Sequence, residues 1–229
     1  MKLRGQVFRR SVRMGIGYVV ISLLVGTVGV TGFGLAANAK DLAASSTGVN
    51  TSLLLSSFAV PFGALVGLVI TIPVYILFVY DKNGGVLEYL LAVGMSQMDI
   101  FRGYMTAALQ MSLIAMLPAL ALNFLISKQS LSWTATLTGL SFATGLADVA
   151  FVTILMTSFS SMQRRPSGMN SPLGISIGTF FLVPELPLAA ALGSAAIWFD
   201  AAICITLILI SSVLLLSVNR LIVREKLLP

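Results

Sequence analysis

Two carboxylic acids, Asp148 and Glu185, stand inside long apolar stretches of this 229-residue chain. A carboxylate in such surroundings either binds a proton or a cation, or is held structurally by neighbouring hydroxyl groups. A charge at the centre of a bilayer costs roughly 2.5–3.5 kcal/mol on insertion scales, so Asp148 is expected to face the protein interior or water. No lysine, arginine or histidine stands in its apolar stretch to pair with it. This favours the structural role slightly over the ion-linked one.

Glu185 lies between two prolines, Pro184 and Pro187, in the sequence Leu-Val-Pro-Glu-Leu-Pro-Leu. Proline removes a backbone donor and kinks a helix. A non-helical break inside a membrane is tolerated only beside a cavity or near the surface. The pattern therefore predicts a break in the apolar stretch here. Pro184, Glu185 and Pro187 are, with Asp148, the candidates for an intramembrane site or gate.

Most catalytic and metal-binding chemistry is excluded by residue type. The chain has no histidine, which removes histidine-based catalysis and histidine metal sites, and its single cysteine, Cys204, allows no internal disulfide. An intramembrane serine hydrolase would need a base that the apolar stretches do not supply. The sequence predicts no catalytic residue and no metal site. The net charge of +6 indicates membrane orientation and not a nucleic-acid partner.

A polar stretch, residues 80–104, interrupts the apolar sequence and carries both turn and helix signals. Asn83-Gly84-Gly85 is typical of a turn, and Gly94 is typical of a helix end. Between them, apolar residues recur with the spacing of a short amphipathic helix. Ser96 followed three residues later by Asp99 predicts an N-cap with an acid in the first turn. The stretch is therefore predicted to be a turn, a short helix, a second turn and a new helix. The apolar stripe of the short helix indicates that it docks either on this chain's own helix ends or on a cytosolic partner.

The composition requires that lipid be the solvent for most of the chain. Hydrophobic residues make up 57% and charged residues only 10%, against roughly 25% charged in soluble domains. Crossing a bilayer takes about 20 apolar residues in a helix. Six apolar runs span or nearly span that distance: 15–37, 52–80, 104–126, 133–159, 173–198 and 201–223.

The orientation follows from the basic residues. All 14 lysines and arginines except Lys40 and Lys128 fall on one side of the six runs, which predicts that this side is cytoplasmic. The chain is thus predicted to be an all-α integral membrane protein forming one transmembrane domain, 1–229, with six transmembrane helices. Both termini and the polar stretch are predicted to be cytoplasmic. Residues 1–14 are predicted to be an amphipathic segment at the membrane interface, either a short helix on the inner leaflet or a basic anchor with no fixed structure.

The stretch Tyr80–Tyr104 resembles the cytoplasmic loop of the permease subunits of type-2 ABC exporters. The matching parts are Gly85-Val86-Leu87-Glu88, then Gly94-Met95-Ser96, then Ile100-Phe101-Arg102-Gly103. Two positions depart from the family pattern. Val86 replaces the usual threonine, and Gln97-Met98-Asp99 replaces a basic run, so charge matching to a partner differs here.

The resemblance implies that residues 85–94 are a coupling helix that docks on a separate ATP-binding subunit. It implies a second permease chain, either identical or different, and export across the plasma membrane by a multi-pass protein. ATP and magnesium would be bound by the partner, with no cofactor in this chain, and no lysine here follows a glycine as a phosphate-binding loop requires. The family also implies that 184–198 is an external re-entrant segment after the fifth span. The residues implied to contact the ATPase are Val86, Leu87, Glu88, Tyr89, Leu90 and Leu91.

Two other interpretations of a membrane protein of this kind stay open. A motor-free secondary transporter or channel would use Asp148 and Glu185 as ion-linked carboxylates, and it predicts an inverted repeat that the sequence does not display. A substrate-capturing subunit of an importer also has six spans. The capped, amphipathic insert favours the exporter.

Overall fold

The computed structural model describes residues 2–21, 23–24, 27–28, 59–126, 131–158 and 196–221. This part of the chain is all-helical, with turns between helices and no β-strand within the ranges given. The helices are α1 (Lys2–Met14), α2 (from residue 16), α3 (Ala59–Asn83), α4 (Val86–Ala92), α5 (Gln97–Ile126), α6 (Leu131–Ser158) and α7 (Ala196–Leu221).

Helix α6 packs against α3, α5 and α7 in the described part of the chain. The largest core cluster joins residues of α3 and α5 with Val149 and Ile154 of α6. Two helical stretches, Gln97–Leu122 and Thr138–Thr157, have 26 and 20 residues and are long and apolar enough to cross a membrane. The structure thus supports an all-helical chain with two membrane-crossing candidates among its described residues.

Helix boundaries follow local sequence chemistry at several of the predicted positions. Helix α3 ends at Asn83, directly before the glycine pair, and α5 begins at Gln97, directly after the predicted N-cap Ser96. Helix α7 differs from the expectation. It begins at Ala196 and passes through Asp200, where the apolar runs had been divided. No proline or glycine stands between Ala196 and Leu221, and a single acid does not break a helix, so nothing in this range interrupts it.

Residues Lys2–Met14 form helix α1, the helical one of the two predicted alternatives, and a protein surface lies under its apolar face. Val7 is buried, and Leu3, Phe8 and Val12 pack against the main core cluster. The neighbours that they meet are α5 and α3. Arg9 lies exposed on the opposite face. The apolar residues of α1 are therefore at least partly covered by the chain itself.

The junction between α1 and α2 lies directly against α3. Gly15 is buried, and a Cβ atom added to it would overlap the ring of Pro73. Gly17, two residues further on, has no atom within 4 Å of a Cβ added in the same way. The close approach of the two helices therefore depends on the missing side chain at Gly15.

Replacing Gly15 by alanine is expected to destabilise the protein by about 1–3 kcal/mol, the usual cost of forcing an extra carbon into a packed site. Gly17→Ala is the matched control. It adds the same atom where space is open, and alanine is favoured over glycine in a helix by about 1 kcal/mol. Thermal unfolding of both variants in detergent micelles gives the comparison. Equal midpoints for Gly15→Ala and wild type would contradict the close contact with Pro73.

Candidate functional site

The short helix α4 is fixed at its start by a turn built from two glycines. The Gly84 N–H donates to the carbonyl of Tyr80 at 2.8 Å, and the Gly85 N–H donates to that of Lys82 at 3.2 Å. Gly85 has a φ of 71°, in the left-handed region that glycine adopts without strain. The chain can therefore leave α3 and begin α4 with only Gly84 and Gly85 between the two helices.

The end of α4 is a Schellman motif, a hydrogen-bonded turn that closes a helix. Gly94 has a φ of 93°, its N–H donates to the Leu91 carbonyl at 3.1 Å, and the Met95 N–H donates to the Leu90 carbonyl at 3.0 Å. These two bonds satisfy carbonyls that the last turn would otherwise leave unpaired. Gly94 thus ends the helix as the sequence predicted.

Helix α5 begins with the predicted cap. The backbone N–H of Asp99 donates to Oγ of Ser96 at 3.1 Å, and that hydroxyl donates to Oδ2 of Asp99 at 2.7 Å. The serine satisfies a free amide of the first turn, and the carboxylate lies at the positive end of the helix. Both ends of the segment that carries α4 are therefore fixed by local hydrogen bonds.

The six residues predicted to contact a partner divide between two faces of α4. Leu87 is 0% exposed and lies in the main core cluster, while Leu90 and Leu91 pack against that cluster and Val86 is half-buried. The apolar stripe that the sequence displayed is therefore turned toward this chain's own helices.

The outer face of α4 carries the other predicted residues. Glu88 is exposed, Tyr89 is 66% exposed, and Val93, just past the helix end, is 63% exposed. We call Glu88, Tyr89 and Val93 the outer face. A carboxylate beside an exposed ring and an exposed branched side chain is a small mixed surface of the kind that interfaces use.

A buried ion pair lies beside this segment, and the sequence pattern had not identified it as a site. Asp81, in the last turn of α3, accepts hydrogen bonds from both terminal nitrogens of Arg10, at 2.7 and 3.1 Å. The Tyr104 hydroxyl of α5 donates to Oδ2 of the same carboxylate at 2.5 Å. The edge of one ring meets the face of the other between Tyr104 and Phe78, with centroids 5.1 Å apart.

The two partners of this ion pair are buried to different degrees. The Asp81 side chain is 3% exposed and that of Arg10 is 50% exposed. Loss of one partner from a fully buried pair costs about 3–5 kcal/mol, and an exposed pair is worth about 0.2–1 kcal/mol. A pair with one exposed end lies between these limits. Next to it, burial lowers the pKa of the Lys82 ammonium group.

Asp148 lies in α6 and is 1% exposed. Its Oδ1 is buried and has no hydrogen-bond partner among the described residues. The carboxyl is close enough to Tyr75 of α3 for an electrostatic interaction, and the Tyr75 hydroxyl is 3.3 Å from Oγ1 of Thr153. On the other side of α6, Ser211 of α7 donates to the carbonyl of Ala147 at 3.1 Å. Asp148 therefore sits between two polar contacts that join neighbouring helices.

The other intramembrane candidates, Pro184, Glu185 and Pro187, lie outside the described residues. The same is true of most of the predicted external segment 184–198, whose last three residues form the first turn of α7. Within the described ranges, no group of three or more histidine, cysteine, aspartate or glutamate side chains is arranged to hold a metal ion.

The candidate site consists of two separate parts, the outer face of α4 and the buried acid Asp148. The first is a surface and the second an interior group, so they suit different kinds of function. Comparison with known proteins adds no relative, because no family model, curated protein or solved structure matches the chain.

Proposed function

We propose that this chain is the transmembrane permease subunit of an ATP-driven ABC exporter. In this proposal α4 is the coupling helix, and a separate nucleotide-binding subunit supplies ATP hydrolysis for substrate efflux. One observation carries the proposal. The seven-residue helix α4 stands between two long helices and is anchored in the core by Leu87, and its outer face of polar and apolar side chains is exposed.

Helix α4 is too short to be stable on its own. Isolated helices shorter than about 12–15 residues are marginal in water, so a helix of seven residues depends on its tertiary contacts and caps. Here those contacts hold the helix to the ends of α3 and α5. A push on the outer face would therefore be transmitted to two long helices, as coupling between a motor and a membrane domain requires.

The proposed topology has six transmembrane helices in the plasma membrane. Both termini and α4 lie on the cytoplasmic side. The distribution of basic residues supports this orientation. The proposed assembly contains two permease chains and two ATP-binding subunits. Substrate would pass between the permease chains, and no catalytic residue is assigned to this one.

Glu88→Ala and Tyr89→Ala are expected to reduce magnesium-dependent ATP hydrolysis by the purified assembly at least severalfold, because each removes an exposed contact of the outer face. The tagged full-length chain is purified from its native membranes with its bound subunits and reconstituted in lipid. Leu90→Asp is expected to have a similar effect by displacing the helix.

Arg9→Ala is the matched control, because Arg9 is exposed on α1 and outside the outer face. All variants are compared at equal membrane abundance. ATP hydrolysis at the wild-type rate in both Glu88→Ala and Tyr89→Ala would refute the docking role. A purified chain that carries no ATPase at all would refute the proposed class.

A motor-free secondary transporter or channel is the second candidate, and the buried Oδ1 of Asp148 is the observation that favours it. A carboxylate oxygen with no described partner at mid-helix is the type of group that ion-coupled transporters use. In that case ATPase association is absent and a cation stabilises the protein.

A further inference from the structure

We propose that α1 is a clamp that holds the α3–α4–α5 segment in place through the ion pair of Arg10 with Asp81, whose carboxylate also accepts a hydrogen bond from Tyr104. The clamp would position the outer face of α4. Its structural part concerns this chain alone, and its consequence for ATP hydrolysis rests on the proposed function.

Asp81 and Tyr104 lie on opposite sides of α4 along the chain. Asp81 is in the last turn of α3, directly before α4, and Tyr104 is in α5, after it. One carboxylate therefore joins the two helices that flank α4. Arg10 adds a third element, from a helix 71 residues away in sequence.

Both oxygens of the Asp81 carboxylate accept hydrogen bonds from other helices. Oδ1 accepts from Arg10, and Oδ2 accepts from both Arg10 and Tyr104. A buried ionised carboxylate needs an opposite charge and donors for its lone pairs. Without Arg10, Asp81 would keep one hydroxyl donor and no described ion-pair partner. The conformation at the end of α3 is therefore expected to depend on the position of α1, through Asp81.

Helix α1 packs closely against the same helices. A Cβ atom built at Gly103 of α5 would lie 3.2 Å from Cδ2 of Leu3, so the two surfaces touch where the glycine leaves room. Gly15 contacts Pro73 at the other end of α1. The apolar contacts set where α1 lies, and the ion pair connects it to the turn before α4.

Arg10 is the better residue to replace, because it is the more exposed partner of the ion pair. The guanidinium is half exposed, so Arg10→Ala removes the clamp without opening a cavity in the core. Asp81→Asn keeps the shape of the buried group and removes its charge. Tyr104→Phe removes only the hydroxyl that contacts Asp81.

Amide hydrogen exchange of the full chain in lipid nanodiscs tests the clamp, read at residues 84–96. Arg10→Ala and Asp81→Asn are each expected to raise exchange there by roughly 5- to 30-fold, the effect of losing one to two kcal/mol. Exchange in the middle of α6 should stay within twofold. The double variant should be no faster than the faster single one, because both changes remove the same contact.

Arg9→Ala is the control, since it removes an exposed arginine from the adjacent position and is expected to leave exchange at 84–96 unchanged. The clamp is overturned if Arg10→Ala leaves that exchange within twofold of wild type, or if Arg9→Ala raises it equally. Arg10→Ala alone decides the question if Asp81→Asn does not fold.

The clamp and the proposed function fail in different ways. Faster exchange in Arg10→Ala, with ATP hydrolysis unaffected by both Arg10→Ala and Glu88→Ala, supports the clamp and counts against the coupling role. Unchanged exchange in Arg10→Ala, with hydrolysis lowered by Glu88→Ala, overturns the clamp and leaves the coupling role standing.

Discussion

Leu87→Ala is expected to destabilise the α4 segment by about 2–5 kcal/mol, the range for removing a leucine side chain from a packed core. Leu87 has no exposed surface and lies in the main core cluster. Helix α4 has only seven residues to share the loss, so its own hydrogen bonds cannot compensate. The segment is therefore expected to open locally before the rest of the protein unfolds.

The measurement is hydrogen exchange at the α4 amides, combined with the unfolding midpoint of the whole chain. Tyr89→Ala is the matched control in the same helix, because its side chain is mostly exposed and supports little of the core. Leu87→Ala should speed exchange in α4 strongly, whereas Tyr89→Ala should leave it close to wild type. Equal protection in both variants would contradict the burial of Leu87.

The same pair of variants separates holding the helix from docking a partner. Tyr89→Ala is expected to lower ATP hydrolysis by the assembly while α4 stays protected. Leu87→Ala is expected to lower hydrolysis together with protection. Loss of hydrolysis in Leu87→Ala at full protection would assign Leu87 to the partner contact, as the family resemblance first implied.

The local structure of this segment could be predicted from the sequence because neighbouring residues determine it. Gly85 and Gly94 adopt positive φ values at the two ends of α4, and Ser96 caps α5 through a bond to Asp99. Each signal needs only a few adjacent residues. For residues 1–14 the sequence left a helix and a basic anchor without fixed structure as alternatives, and α1 is the helix.

Contacts between distant elements could not be predicted in the same way. Arg10 and Asp81 are 71 residues apart, and Tyr104 lies 23 residues beyond Asp81. Periodicity indicates which face of a helix is buried, but it does not identify what covers that face. For the same reason the apolar stripe of α4 indicated a docked helix without distinguishing a partner from the chain's own core.

The boundary that the apolar runs predict near Asp200 is absent from the structure, for a different reason. An apolar run was ended there because a charged residue interrupts it, yet α7 continues from Ala196 to Leu221. Hydropathy reports the solvent that a segment prefers, whereas helix continuity depends on backbone propensity and capping. The two differ at Asp200, where an acid interrupts the apolar sequence but not the helix.

Asp148→Leu is expected to raise the unfolding midpoint if the acid binds no cation, because it removes a buried oxygen that has no described partner. Relieving an unsatisfied buried polar atom is worth about 1–3 kcal/mol. Thr144→Val is the matched control. Its hydroxyl is buried in the same helix but donates to the Leu140 carbonyl at 2.9 Å, so its removal relieves nothing and should give no gain.

Sodium dependence separates the structural role of Asp148 from an ion-linked one. A cation that binds the folded protein alone raises its stability in proportion to the logarithm of its concentration. Unfolding midpoints are therefore measured in sodium chloride and in choline chloride at equal ionic strength. The permease proposal predicts equal midpoints in the two salts for wild type, Asp148→Asn and Asp148→Leu. A midpoint that rises with sodium in wild type but in neither variant would instead make Asp148 a cation ligand, and would favour the motor-free transporter over the ATP-driven one.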